Sequence, residues 1–84
     1  MDQKRKRLDT DLRARLVWEA MWRANRTLTM EGIAEESGLT RSPYLRQIVD
    51  TLYAHNCINK GLDVSEQGRA VIVYWVTNDP ASLT

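Results

Sequence analysis

Gly38 and Pro43 lie five residues apart near the middle of this chain, and together they limit what the surrounding sequence can fold into. Glycine takes the left-handed backbone conformation that commonly ends a helix. Proline has no backbone N–H and is tolerated in a helix only within the first turn. One helix therefore ends at Gly38 and another begins close to Pro43, which predicts two short helices joined by a tight turn.

Apolar side chains at helical spacing flank this turn on both sides. The helix before it is predicted to begin after a capping Thr29 and to pack through three apolar residues: Met30, Ile33 and Ala34. The helix after it begins at Thr40 or Ser42 and runs to about His55. Its apolar stripe has four members: Leu45, Ile48, Val49 and Leu52.

Another helical pattern precedes these two, from about Thr10 to Asn25. Its apolar stripe contains six residues: Leu12, Leu16, Val17, Ala20, Met21 and Ala24. Trp18 and Trp22 lie off this stripe, and a small monomer seldom leaves two neighbouring tryptophans in water. They pack either against the ends or final strand of their own chain or, together with Trp75, against a second copy in a homodimer.

After Asn56 the pattern changes from helical spacing to the alternating or continuous apolar character of strands. The run from Val71 to Val76 is β-branched and aromatic, and it is the strongest strand signal in the chain. The four residues from Ser65 to Gly68 suit a hairpin turn. The sequence therefore predicts an α+β fold, mainly α, in which three helices precede a two-stranded β-hairpin.

The distribution of charge is more informative than its sum. The 84 residues carry 12 Lys and Arg against 11 Asp and Glu, a net charge of +1. Residues 1–27 carry eight basic and four acidic side chains, and residues 40–60 carry three basic and one acidic. Positive charge thus gathers around the third helix and in an N-terminal arm that contains Lys4 to Arg7. This arm either follows the backbone or minor groove of a nucleic acid or serves as a solubilising tail.

The sequence lacks the residues that several classes of protein function need. The one histidine gives a His-based triad or a His-rich metal site little to work with, and no phosphate-cradling glycine loop is present. We therefore expect no enzyme, no metal and no cofactor. The single cysteine, Cys57, suits a reducing compartment, and neither a membrane span nor the apolar part of a signal peptide is evident. These features favour a cytoplasmic protein without membrane contact.

The order of helix, glycine turn, helix and hairpin resembles the winged helix-turn-helix family of DNA-binding regulators. One run and a few apolar positions carry the resemblance: Ile33-Ala34-Glu35-Glu36-Ser37-Gly38-Leu39-Thr40-Arg41-Ser42, then Leu45, Ile48, Leu52, Ile58 and the hairpin. It is closest to small bacterial, archaeal or phage transcription regulators, including MarR- and ArsR-like domains. Two features depart from the family: one extra residue near Pro43-Tyr44, and Glu66 where many wings are basic.

The resemblance implies a winged-helix domain over residues 10–77, with a flexible arm at 1–9 and a flexible tail at 78–84. It also implies that the third helix, about residues 41–55, enters the major groove of double-stranded DNA, with residues 58–76 as the wing. The expected base-reading side chains are Arg41, Arg46 and Gln47, because Arg pairs with guanine and Gln with adenine. Ser42 and Tyr44 are candidates for bases or phosphates, and Lys60 and Arg69 for phosphates across the minor groove. The carboxylate of Asp50 would be repelled by DNA phosphates unless it accepts a hydrogen bond from a cytosine amino group.

Two other functions fit the same pattern. Winged helices also serve in protein assembly, which the acidic second helix and the nearly neutral whole would suit. A replication or recombination accessory protein of a phage or plasmid would carry the same features as a transcription regulator.

Overall fold

Three helices and a hairpin account for most of residues 12–83, the part of the chain that a computed structural model describes. The helices are α1 (Leu12–Ala24), α2 (Met30–Ser37) and α3 (Pro43–Ala54). The strands are β1 (Ile58–Val64) and β2 (Ala70–Val76), and a 3-10 turn, Pro80–Leu83, follows them. The predicted fold class is confirmed: a mainly helical α+β chain with the arrangement of a winged helix.

The ends of α2 and α3 lie where the turn residues predict them. The hydroxyl of Thr29 accepts a hydrogen bond from the Gly32 N–H at 3.1 Å, which caps α2. Gly38 ends the same helix at φ 75, a left-handed conformation that glycine adopts without strain. Ser42 caps α3, and Pro43 occupies its first turn. The tight turn between the two helices is therefore confirmed.

The core lies between the three helices and the base of the hairpin. The predicted apolar residues of α2 and α3 are all buried in it. The prediction for α1 is only partly right, because Leu12 is 79% exposed and Leu16 is also exposed. The helix instead turns a neighbouring face inward, formed by five residues: Ala14, Val17, Trp18, Ala20 and Met21. This face contains Trp18, whose indole binds the segment after β2.

Trp18 is a core residue of the monomer. Its side chain is 1% exposed, and its indole N–H donates to the backbone carbonyl of Asn78 at 2.9 Å. The prediction that placed it on a dimer seam is therefore corrected: Trp18 packs against its own chain.

The segment after β2 is held against α1. Besides the bond from Trp18 to Asn78, the Arg15 guanidinium donates to the backbone carbonyl of Pro80 at 3.1 Å, and Pro80 itself is buried. Two side chains of α1 thus bind the backbone of this segment, which forms a 3-10 turn over Pro80–Leu83. The flexible tail expected from residue 78 stays a prediction.

The hairpin is an antiparallel pair in which Ile58 lies opposite Val76 and Val64 lies opposite Ala70. A third segment extends it, because Leu28 and Tyr74 exchange backbone hydrogen bonds of 2.8 Å in both directions. The sequence around Leu28 does not predict this bridge. It fixes the start of α2 against the hairpin and so sets the distance between the wing and the helix pair.

The described region lacks two features, a membrane-spanning helix and a metal-binding cluster. Within residues 12–83, no helix is long and apolar enough to cross a membrane. The same part of the chain has no group of three or more His, Cys, Asp or Glu side chains placed to hold a metal ion.

Candidate nucleic-acid interface

The first two turns of α3 bring three of the predicted DNA-binding residues together. Arg41, Ser42 and Arg46 line one shallow cavity of about 310 Å³, along with Met30 and Pro43. Pro43 and the Ser42 cap fix where the helix begins, so Arg41 lies just before α3 and Arg46 lies in its first turns. We call Arg41, Ser42 and Arg46 the α3 corner.

A second groove joins the α3 corner to the hairpin. Its volume is about 440 Å³, and Arg41 and Arg46 form one wall while β2 and the hairpin turn form the other. Glu31, at the start of α2, is the acidic residue that lines it. The hairpin therefore stands directly beside the two arginines.

Both arginines of the α3 corner are exposed. The two ion pairs formed among residues 12–83 lie elsewhere, between Arg15 and Glu19 at 3.4 Å and between Arg26 and Glu36 at 2.9 Å. Arg41 and Arg46 thus keep their guanidinium donors directed to solvent. An exposed guanidinium loses little by exchanging water for a phosphate or a guanine edge.

Ser42 has a structural role that its position in the sequence also predicts. Its hydroxyl oxygen accepts a hydrogen bond from the Leu45 N–H at 3.3 Å, which satisfies one of the free N–H groups at the start of α3. The hydroxyl proton remains available to donate. Ser42 can therefore cap α3 and contact a phosphate at the same time.

Tyr44 lies on the α1 side of α3. The Arg13 guanidinium stacks over its ring, 5.6 Å from the centroid. The sequence does not predict this contact, because no pattern relates a residue of α1 to a residue on the outer surface of α3. Arg13 therefore fixes the orientation of a ring that is otherwise about half exposed.

Gln47 and Asp50 continue the exposed face of α3 beyond the α3 corner. Both side chains are exposed. The hydroxyl of Thr51 donates to the backbone carbonyl of Gln47 at 2.9 Å, so Thr51 is engaged with its own helix. This face thus offers an amide and a carboxylate next to the two arginines.

Lys60 and Arg69 are far apart on the hairpin. The Lys60 ammonium lies over the Tyr53 ring, 4.6 Å from its centroid, at the C-terminal end of α3. Arg69 belongs to the hairpin turn, where its backbone and Ser65 exchange bonds of 2.8 and 3.2 Å. The structure thus places one cation at the base of the wing and one near its tip, and their binding to phosphate stays a prediction.

One face of the hairpin packs with the core at its base and is exposed toward the turn. Side chains alternate between faces, so Ile58, Lys60, Leu62 and Val64 share a face with the β2 residues paired to them. At the base, Ile58, Tyr74 and Val76 pack with the core. Farther out, Leu62 is 77% exposed, Val64 is 67% exposed and Ile72 is 47% exposed. We call Leu62, Val64 and Ile72 the distal wing face.

Trp22 and Trp75 line another surface, a cavity of about 470 Å³ between the end of α1 and β2. Trp22 is 47% exposed and Trp75 is partly buried. The indole of Trp75 lies across Gly61, where an added Cβ would come within 3.1 Å of the ring. Glycine at this position therefore lets the ring cover β1, and neither tryptophan is in the core.

Cys57 connects α3 to β1 and is buried. Burial raises the pKa of its thiol, because removal from water disfavours the thiolate. The protonated thiol points toward the backbone carbonyl of His55, at 3.8 Å from the sulfur. At neutral pH, Cys57 is thus a small buried residue with a weak donor and a poor nucleophile.

The chain matches no family model. It also matches none of the curated proteins. Among solved structures, it is similar to a protein from Methanosarcina mazei Go1 described as a "possible transcriptional regulator", with a TM-score of 0.64. The two share 13% sequence identity over 99% of this chain and 78% of the other. At that identity, the likeness concerns the fold.

Proposed function

We propose that this protein is a cytoplasmic, sequence-specific regulator of transcription that binds double-stranded DNA. In this proposal α3 enters the major groove and the hairpin acts as the wing. The observation that carries it is the α3 corner: two exposed arginines at the start of a helix, beside a projecting hairpin. The similarity of fold to the protein from Methanosarcina mazei, described as a possible transcriptional regulator, supports the same function.

The chemistry of the exposed face of α3 suits base recognition. An arginine can donate two hydrogen bonds to the O6 and N7 of guanine, and a glutamine can pair with adenine at N6 and N7. Arg41, Arg46 and Gln47 supply these groups, while Asp50 can accept from the N4 amino group of cytosine. Each such contact discriminates against a wrong base by about 1–3 kcal/mol. Ser42, Tyr44, Lys60 and Arg69 position the protein on the phosphates in this proposal.

A homodimer would let two copies of α3 read two half-sites. The surface proposed for the contact is the cavity lined by Trp22 and Trp75, since aromatic residues are enriched at interfaces. Symmetric half-sites lie about 34–36 Å apart, one turn of the DNA helix.

The dimer is tested by analytical ultracentrifugation at high micromolar concentration. We expect the wild-type protein to sediment as a dimer and Trp22→Glu as a monomer. Leu12→Glu adds the same charge at another exposed position of α1 and serves as the matched control. A monomeric wild-type protein would contradict the proposed dimer.

DNA binding is tested by selection from a pool of random duplexes at two salt concentrations. We expect one family of sequences to be enriched, with two related half-sites, and we expect binding to weaken steeply as salt rises. Recovery of no preferred sequence, or binding that salt does not change, would contradict the proposed function. In those cases the protein-assembly function becomes the better account of the fold.

A further inference from the structure

We propose that the distal wing face enters the minor groove of bound DNA as an apolar wedge and bends the duplex. The inference rests on the proposed function, because it concerns the same complex. It assigns a role to Leu62, Val64 and Ile72, which the contacts of α3 with bases do not involve.

The distal wing face is a continuous apolar surface that residues 12–83 leave largely uncovered. Leu62 and Ile72 are directly opposite each other in the register, and Val64 is opposite Ala70 nearer the turn. All four positions are exposed, whereas Ile58 and Tyr74, closer to the base on the same face, are buried. Apolar side chains that project together from a soluble domain commonly mark a contact surface.

Positive charge borders this surface. Arg41 and Arg46 line the groove that Ile72 also lines, where they outnumber its acidic residue, Glu31. Lys60 is the next residue on the same face toward the base. Two copies meeting through this face would bring these cations together, and like charges oppose each other. A polyanion instead satisfies the cationic border while it covers the apolar centre. The border therefore favours DNA over a second copy of this chain.

The acidic residues of the hairpin do not prevent this contact. Asp63 falls on the opposite face by strand alternation, and its carboxylate accepts the Val64 N–H at 2.8 Å. Glu66 lies in the turn, where Arg69 also lies. The distal wing face itself carries no charge.

The minor groove suits such a surface. It is about 6 Å wide in B-DNA, and several architectural proteins insert Leu, Ile or other apolar side chains between its base steps. That insertion bends the duplex by about 20–90° toward the major groove. With α3 in the major groove, the adjoining hairpin is the element that can reach the neighbouring minor groove.

The test measures the bend of a selected duplex by energy transfer between dyes at its two ends. We expect wild-type protein to shorten the end-to-end distance and Leu62→Ala with Ile72→Ala to lose most of that shortening at saturation. Leu12→Ala is the matched control, because Leu12 is as exposed as Leu62 but lies on α1. It should bend DNA as the wild type does.

Four results would overturn the inference. The double variant could bend DNA as much as wild type, or the wild type could bind the duplex without bending it; both leave the proposed function standing. A change in oligomeric state of the double variant, seen by ultracentrifugation, would assign the distal wing face to a protein contact. Absence of any DNA binding by the wild type would contradict the proposed function together with the wedge.

Discussion

The two halves of the hairpin share one sequence pattern but differ in what lies beneath them. At the base, Ile58 and Tyr74 pack into the core, whereas Leu62 and Ile72, nearer the turn on the same face, project into solvent. Alternating apolar residues therefore identify one face of the strands without showing where the body of the protein ends. The base stabilises the fold, and the distal half is available for binding.

This difference has an energetic meaning. Burying a Val, Leu, Ile or Phe side chain fully contributes about 1.5–3 kcal/mol relative to leaving it exposed. Ile58 makes that contribution within the monomer, and Leu62 makes it only when a partner covers it. Substitutions at the two positions separate the two contributions.

The largest expected loss of stability comes from a substitution at the base of the hairpin. Ile58→Ala should lower the free energy of unfolding by about 2–5 kcal/mol, because it leaves a cavity in the core. Leu62→Ala should change it by no more than about 0.5 kcal/mol, as is usual for exposed positions. Urea denaturation followed by circular dichroism measures both. Equal losses in the two variants would show that the distal half also packs within the monomer.

A second pair of variants compares a buried and an exposed tryptophan on α1. Trp18→Phe should lower the free energy of unfolding by about 1–3 kcal/mol, since it removes buried volume and the hydrogen bond to the Asn78 carbonyl. Trp22→Phe, four residues later and half exposed, should change it by less than about 0.5 kcal/mol when measured at a concentration that keeps the protein monomeric. If Trp22→Phe has the larger effect, the assignment of Trp18 to the core is wrong.

The smallest effect depends on pH and concerns Cys57, at the base of the hairpin. Burial raises the pKa of this thiol in the folded protein, so the unfolded chain loses the proton first as pH rises. The stability that the protonated Cys57 thiol contributes is therefore fully present below the unfolded pKa of about 8.5 and is lost at higher pH. Wild-type stability should fall more between about pH 7.5 and pH 9.5 than that of Cys57→Ala. Parallel urea titrations measure this, and identical pH dependence would contradict it.

Local signals account for most of what the sequence predicts correctly. Thr29, Gly38, Ser42 and Pro43 act on their own backbone, so the bounds of α2 and the start of α3 follow from these residues alone. These signals fix where α3 begins, whereas the cavity that Arg41 and Arg46 share is a feature of the folded structure.

What the sequence does not predict depends on contacts between distant segments. The inward face of α1 is set by Trp18 binding the segment after β2, and the bridge between Leu28 and Tyr74 has no local signature. The Arg13 contact with Tyr44 and the exposure of Leu62 are of the same kind. Each of these features depends on where one helix or strand lies relative to another.

The central claim is that the exposed face of α3 reads a DNA sequence, and the ratio of affinities for a selected duplex and a scrambled one tests it most directly. Fluorescence anisotropy at one salt concentration gives this ratio for the wild type, for Arg46→Ala with Gln47→Ala, and for Arg23→Ala. Arg23→Ala removes a comparable charge from the last turn of α1 and serves as the control. The double variant should lose about 1–3 kcal/mol of discrimination for each lost base contact while it stays folded, and Arg23→Ala should keep the wild-type ratio. A double variant that retains the wild-type ratio would contradict the claim.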